Sequence, residues 1–99
     1  MANPEVVFRG ESVEVVKWDG LTSDSPGEEF LCHASKVATM QVEGLFDKVI
    51  LEGNCGGPWE PIASFTMPGS KELSSGMVWV RPRVLGAVAK ATIYLSVRR

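Results

Sequence analysis

The sequence predicts an all-β domain, a small antiparallel β-sandwich of jelly-roll or immunoglobulin-like type with six to eight short strands. Three observations lead there. Apolar residues recur mostly with a period of two, the period at which strand side chains alternate between faces. The periodic stretches are rich in Val, Ile and aromatic residues, which suit a pleated, half-buried surface. Turn signals made of Gly, Pro, Ser and Asp return about every ten residues, the rhythm of short strands in a sandwich or barrel.

The elements follow in order. Glu5–Phe8 and Ser12–Asp19 read as one early strand or a pair, with Val13, Val15 and Lys17 on one face and Val16 and Trp18 on the other. Both faces are mixed, so an edge position is expected. Trp18, flanked by Lys17 and Asp19, is the tryptophan expected to be exposed, whereas Trp59 and Trp79 are expected in the core. Gly20–Glu29 is rich in residues that hydrogen-bond their own backbone or pre-set turns, and reads as an exposed loop. Phe30–Val37 is either a short strand or a helical turn. Val37–Glu43 sets Ala38, Met40 and Val42 against Val37, Thr39, Gln41 and Glu43, the pattern of a half-buried strand. After a turn at Gly44–Phe46, Lys48–Glu52 follows with Val49 and Leu51 on one face, near enough in sequence to pair with its predecessor as a hairpin. GNCGGP, residues 53–58, is a turn. Trp59–Thr66 is interrupted by Pro61, which cannot donate to a ladder and belongs at an edge or a bulge. Met67–Gly76 reads as a loop. Met77–Leu85 and Ala91–Val97 alternate cleanly, and Gly86–Lys90 joins them as a second hairpin.

Ninety-nine residues with 44% hydrophobic content make one domain, residues 1–99, with residues 1–9 read as an extended N-terminal arm. A domain this small buries only about 60–65% of its unfolded surface, so a partner or self-association adds needed stability. The net charge of −2 offers no positive field for nucleic acid. No apolar run approaches the ~20 residues of a membrane helix, and Glu5 and Arg9 interrupt the N-terminus, so no membrane is expected and synthesis is placed in the cytoplasm. Cys32, Cys55 and His33 are too few for a four-ligand zinc site or a disulfide framework. Two reduced thiols are expected, a single Cys32–Cys55 bridge being the alternative.

Neither nucleophile nor paired acid and base stands out. His33 has no Gly-x-Ser-x-Gly elbow to serve, and its neighbour Cys32 would point to the opposite face of a strand. Glu28 and Glu29 read as a hydrated loop edge, and GNCGGP lacks the lysine and hydroxyl of a phosphate loop. The expectation is therefore no enzyme and no cofactor. Arg81, Arg83, Arg98 and Arg99, on two strands expected to pair, read as a solvated or protein-binding stripe.

The stretch TMQVEGLFDKVILEGNCGGPW, with the later VWVRPRVLG and ATIYLSV, resembles a family of small structural proteins of tailed bacteriophages. The matching positions are Met40, Val42, Gly44, Phe46, Val49, Leu51, Glu52, Gly53, Asn54, Gly56 and Trp59, then Arg81, Pro82, Val84 and Gly86, with Cys55 where that family tends to have Asp. The resemblance implies a virion component, a capsid decoration (cement) protein on the outside of the head, assembled in the host cytoplasm. Its implied partner is the major capsid protein, bridged across capsomer boundaries by a homo-oligomer, dimer or trimer. Short arms and polar loops can order on binding. That makes Pro4, Glu5, Phe8, Arg9, Asp24, Glu28 and Glu29 the expected capsid contacts, and Arg81, Arg83, Arg98 and Arg99 the expected interface residues. The alternatives are a ring-forming head-to-tail connector or tail component, and a carbohydrate-binding module with Trp18 and a second aromatic coplanar on one face.

Overall fold

A computed structural model describes residues 4–21, 26–31, 37–73, 79–86 and 91–98. Strands form where the period-two pattern runs: β1 Glu5–Arg9, β2 Val13–Leu21, β3 Phe30–Leu31, β4 Val37–Glu43, β5 Lys48–Asn54, β6 Glu60–Phe65, β7 Gly69–Leu73, β8 Trp79–Leu85 and β9 Ala91–Arg98. They build a five-stranded sheet, β1-β2-β9-β4-β7, packed on a four-stranded sheet, β3-β8-β5-β6, with antiparallel pairing throughout. From β2 onward the chain changes sheet at every connection except β5 to β6. This is the jelly-roll arrangement of the predicted sandwich.

The crossings correct both expected hairpins. β4 and β5 lie in opposite sheets, as do β8 and β9, and β9 pairs instead with β2 and β4. Each of these strands carries one clean apolar face, and consecutive strands satisfy those faces by opposing each other across the core. The first crossing turns on Gly44, whose φ of 122° favours glycine, and is fixed where the Asp47 N–H donates to the Leu85 carbonyl at 3.0 Å.

The core lies between the sheets. Met40 and Val42, Val49 and Leu51, Val80 and Val84, and Ile93, Leu95 and Val97 are buried on the faces that alternation assigned. β2 departs from expectation, because it lies between β1 and β9 and Trp18 is 0% exposed. Lys17 and Asp19 face the other way, and Asp19 accepts a hydrogen bond from the Thr92 hydroxyl at 2.9 Å; polar neighbours one residue away report on the opposite face.

Two further stretches differ. Gly69–Leu73, expected as loop, is strand β7 on an open edge, nearly all exposed, and Lys71 and Glu72 keep that edge charged. Together with the two-residue β3 it takes the described strands to nine. Residues 5–9 form the edge strand β1, one residue longer than the strand expected over Glu5–Phe8, with a bulge between Val6 and Phe8. Pro61 meets both of its expectations: β6 is an edge strand, and its register with β5 shifts beside the Glu52–Pro61 pair.

β1 also closes one end of the sandwich electrostatically. Glu14 is 4% exposed, and the Arg9 guanidinium, itself 63% exposed, contacts its Oε2 at 2.7 Å. Arg9→Ala is expected to lower stability by about 1 kcal/mol, between the worth of a surface pair and that of a charged hydrogen bond. The measurement is the midpoint of chemical denaturation, and an unchanged midpoint would mean that Glu14 does not need Arg9.

Candidate functional site

On β8, Val80, Pro82 and Val84 turn inward, so Trp79, Arg81 and Arg83 face out of the four-stranded sheet. Across the ladder stand Asn54, Glu52 and Ile50 of β5. Arg81 Nε donates to Glu52 Oε1 at 3.0 Å and Arg83 Nε to the same oxygen at 3.3 Å. The Arg81 guanidinium carbon also lies 4.2 Å from the centroid of the Trp59 ring, a cation–π contact. Trp59 and Trp79, expected in the core, are thus half-buried. Arg81, not an apolar neighbour, covers the Trp59 ring.

Pro82 shapes the neighbouring loop. It lies in an interior strand, where a missing N–H would ordinarily break a ladder. Its carbonyl accepts from the Gly27 N–H at 2.7 Å, so the N–H it lacks would point to that same side, toward residues 26–31. That segment is irregular: Pro26 bridges Arg83 and Phe30 pairs with Val80, leaving one more residue there than on β8. The surplus bulges outward at Glu28 and Glu29. A Cβ on Gly27 would lie 2.7 Å from Trp18 Cδ1 and 2.9 Å from Pro82 Cγ, so the close approach needs glycine. Trp18 Nε1 donates to the Glu28 carbonyl at 2.7 Å and pins the bulge from inside. The result is a concavity of about 290 Å³, lined by Pro26, Gly27, Glu28, Glu29 and Arg81.

Four residues singled out from the sequence, Glu28, Glu29, Arg81 and Arg83, therefore meet on one surface. Pro4, Glu5, Phe8 and Arg9 lie at the edge of the other sheet, where Val6, Val7 and Phe8 are 46%, 52% and 57% exposed. The expected arginine stripe is corrected: Arg98 is exposed on β9 of the five-stranded sheet, apart from Arg81 and Arg83 on β8. Asp24, Arg99, Cys32 and His33 lie outside the described residues; Cys55 is exposed beside the turn glycines. Burial of Trp18 also removes the sugar reader built on that residue. Sequence reasoning missed Glu52 and Trp59. A proline between two arginines in an otherwise regular strand was the available signal that an irregular neighbour runs alongside.

No protein-family model matches the sequence, and no curated protein sequence is significantly similar to it. Solved structures are similar in fold. The SPBc2 prophage-derived protein YomS superposes with a TM-score of 0.69 at 14% identity, covering 93% of this chain and 99% of that one. A cupin family protein with a double-stranded β-helix fold from Methanocaldococcus jannaschii gives 0.62 at 11% identity, covering 99% and 80%. The chain has a cupin-like jelly-roll fold. Hydroxypropylphosphonic acid epoxidase from S. wedmorenis shares it, with a TM-score of 0.59 at 15% identity over 97% of this chain and 50% of the enzyme.

That last likeness overturns the expectation of no enzyme. An enzyme contains a domain of this fold, so a missing nucleophile motif does not exclude activity here. The Fe(II) form of that epoxidase is also similar in fold, and iron of this kind is held by imidazole and carboxylate ligands. Between the sheets of this cupin-like fold stand Trp18, Met40, Leu51, Ile93 and Leu95. Among the described residues no three His, Cys, Asp or Glu side chains come together to hold a metal. The described interior does not fit that iron.

Proposed function

We propose that the chain is a structural protein of a tailed-phage particle, seated on the outside of the head as a decoration protein across boundaries between major capsid protein subunits. The observation that carries this reading is that a prophage-derived protein has the same fold over almost the whole extent of both chains. The phage-like pattern of Thr39–Trp59 and VWVRPRVLG supports it.

An exposed apolar edge supports this reading as the side that docks. Val6, Val7 and Phe8 form an exposed apolar edge, and Phe8 pairs with the half-buried Val15 on the outer face of the five-stranded sheet. Exposed apolar patches mark interaction sites. The bulge at Val7 blunts open-ended strand addition, which favours seating on a formed partner surface. Weak contacts repeated over a lattice then add stability by mass action. In this reading the chain arrives as a dimer or trimer and resides on the virion exterior.

The test is co-sedimentation of purified protein with expanded heads that lack it, alongside its solution mass by light scattering. Saturation at a fixed ratio to the major capsid protein is expected. Phe8→Ser should weaken binding at least about tenfold, as for an interface anchor, while stability stays within about 0.5 kcal/mol. No binding, with a ring-sized solution mass, would replace head decoration by a connector or tail role.

A further inference from the structure

We propose that the concavity at Arg81 is a binding site for a neutral sugar ring. It lies beside the four-stranded sheet, whereas β1 belongs to the five-stranded one, and it does not depend on the particle role. Arg81 is held rigidly from two sides, by Glu52 on Nε and by the Trp59 ring beneath its plane. Its two terminal NH₂ groups have no partner among the described residues, and the residue lines the concavity. Glu28 and Glu29, both exposed, line the same space.

This combination selects the ligand's charge. Among the described residues around the concavity, the Arg81 guanidinium, tied to Glu52, stands with Glu28 and Glu29. An anion drawn to Arg81 meets the two rim carboxylates, and a cation drawn to those carboxylates meets the guanidinium. A polyhydroxyl ring satisfies both, because each hydroxyl donates one hydrogen bond and accepts two. Adjacent hydroxyls accept from the planar guanidinium fork and donate to Glu28 and Glu29. The Pro26 ring offers the apolar wall that a sugar's C–H face requires. At about 290 Å³ the space sits at the small end of ligand sites and suits one ring.

The experiment presents the full chain to an array of neutral, sialylated and sulfated glycans, then titrates the corresponding monosaccharide while following backbone amide shifts by NMR. Neutral glycans are expected to bind, with a Kd on the order of 1 mM for a single ring of about 12 heavy atoms and shifts centred on Gly27, Glu28 and Arg81. Arg81→Lys, which keeps the charge and loses the fork, and the isosteric pair Glu28→Gln with Glu29→Gln should each weaken binding at least about tenfold, the Glu pair with melting unchanged and Arg81→Lys with a cooperative melt retained. Three results would overturn the proposal: no shift at those amides up to 50-fold the expected Kd, binding confined to charged glycans or to a lysine-rich peptide, or neutral-sugar binding that survives Arg81→Lys.

Discussion

Trp18→Ala is expected to lose about 3–5 kcal/mol of folding stability, enough to leave much of the protein unfolded at 37 °C. Trp18 is the largest fully buried side chain, and it packs edge-on against Phe30 with ring centroids 6.3 Å apart at 87°. Its removal opens a cavity between the sheets and strips the Glu28 carbonyl of the indole N–H that reaches it from the core. Domains of this size hold only about 5–15 kcal/mol in total, and small ones lie toward the lower end. The melting temperature should fall by roughly 15 °C or more. Trp18→Phe separates the two contributions: it keeps most of the ring and deletes the donor, for an expected cost of about 1–3 kcal/mol. A Trp18→Ala protein that melts with the parent would mean that the 26–29 loop and the sheets close over the lost ring without help.

Gly27→Ala is the second large effect, expected at about 1–3 kcal/mol, the usual range for forcing an extra carbon into a packed site. The new methyl would meet an indole and a proline ring at 2.7 and 2.9 Å. Both are rigid and both are buried, so the backbone of the bulge must move. The same displacement drags Glu28 away from Arg81. Thermal melting reads the first consequence, and the amide shifts of Glu28 and Arg81 read the second. An alanine tolerated with neither change would show that the bulge floats free of Trp18 and Pro82.

The period-two pattern made the faces of β4, β5, β8 and β9 legible, because burying one side of a strand leaves a mark at every second residue. It did not make their neighbours legible. Alternation says which way Leu51 or Leu95 points and nothing about which strand lies alongside, so β4–β5 and β8–β9 looked like hairpins. β7 escaped notice for a related reason: Gly69–Leu73 is almost entirely exposed and has no apolar face to print on the sequence. The burial of Trp18 is hidden by Lys17 and Asp19, whose charges belong to the opposite face of β2. At the candidate site, Glu28 and Glu29 stand out as a pair of loop carboxylates, and Arg81 and Arg83 as part of an arginine stripe. Their convergence depends on pairing across about fifty residues, which no local pattern encodes. Pro82 carries a local signal of it, since a proline inside a strand leaves one side of the ladder without a donor.

The central place of β9 has a consequence for how the chain reaches this state. β9 follows every other described strand in the sequence, yet it lies in the middle of the five-stranded sheet, with β2 on one side and β4 on the other. Until Ala91–Arg98 has left the ribosome, β2 and β4 have no common partner, and the ladder edges that face β9 wait unpaired. Ordering such distant segments must precede the contacts that reward it, so folding belongs to the slow, millisecond-to-second class of β-topologies. The nascent chain is most exposed to aggregation in that interval.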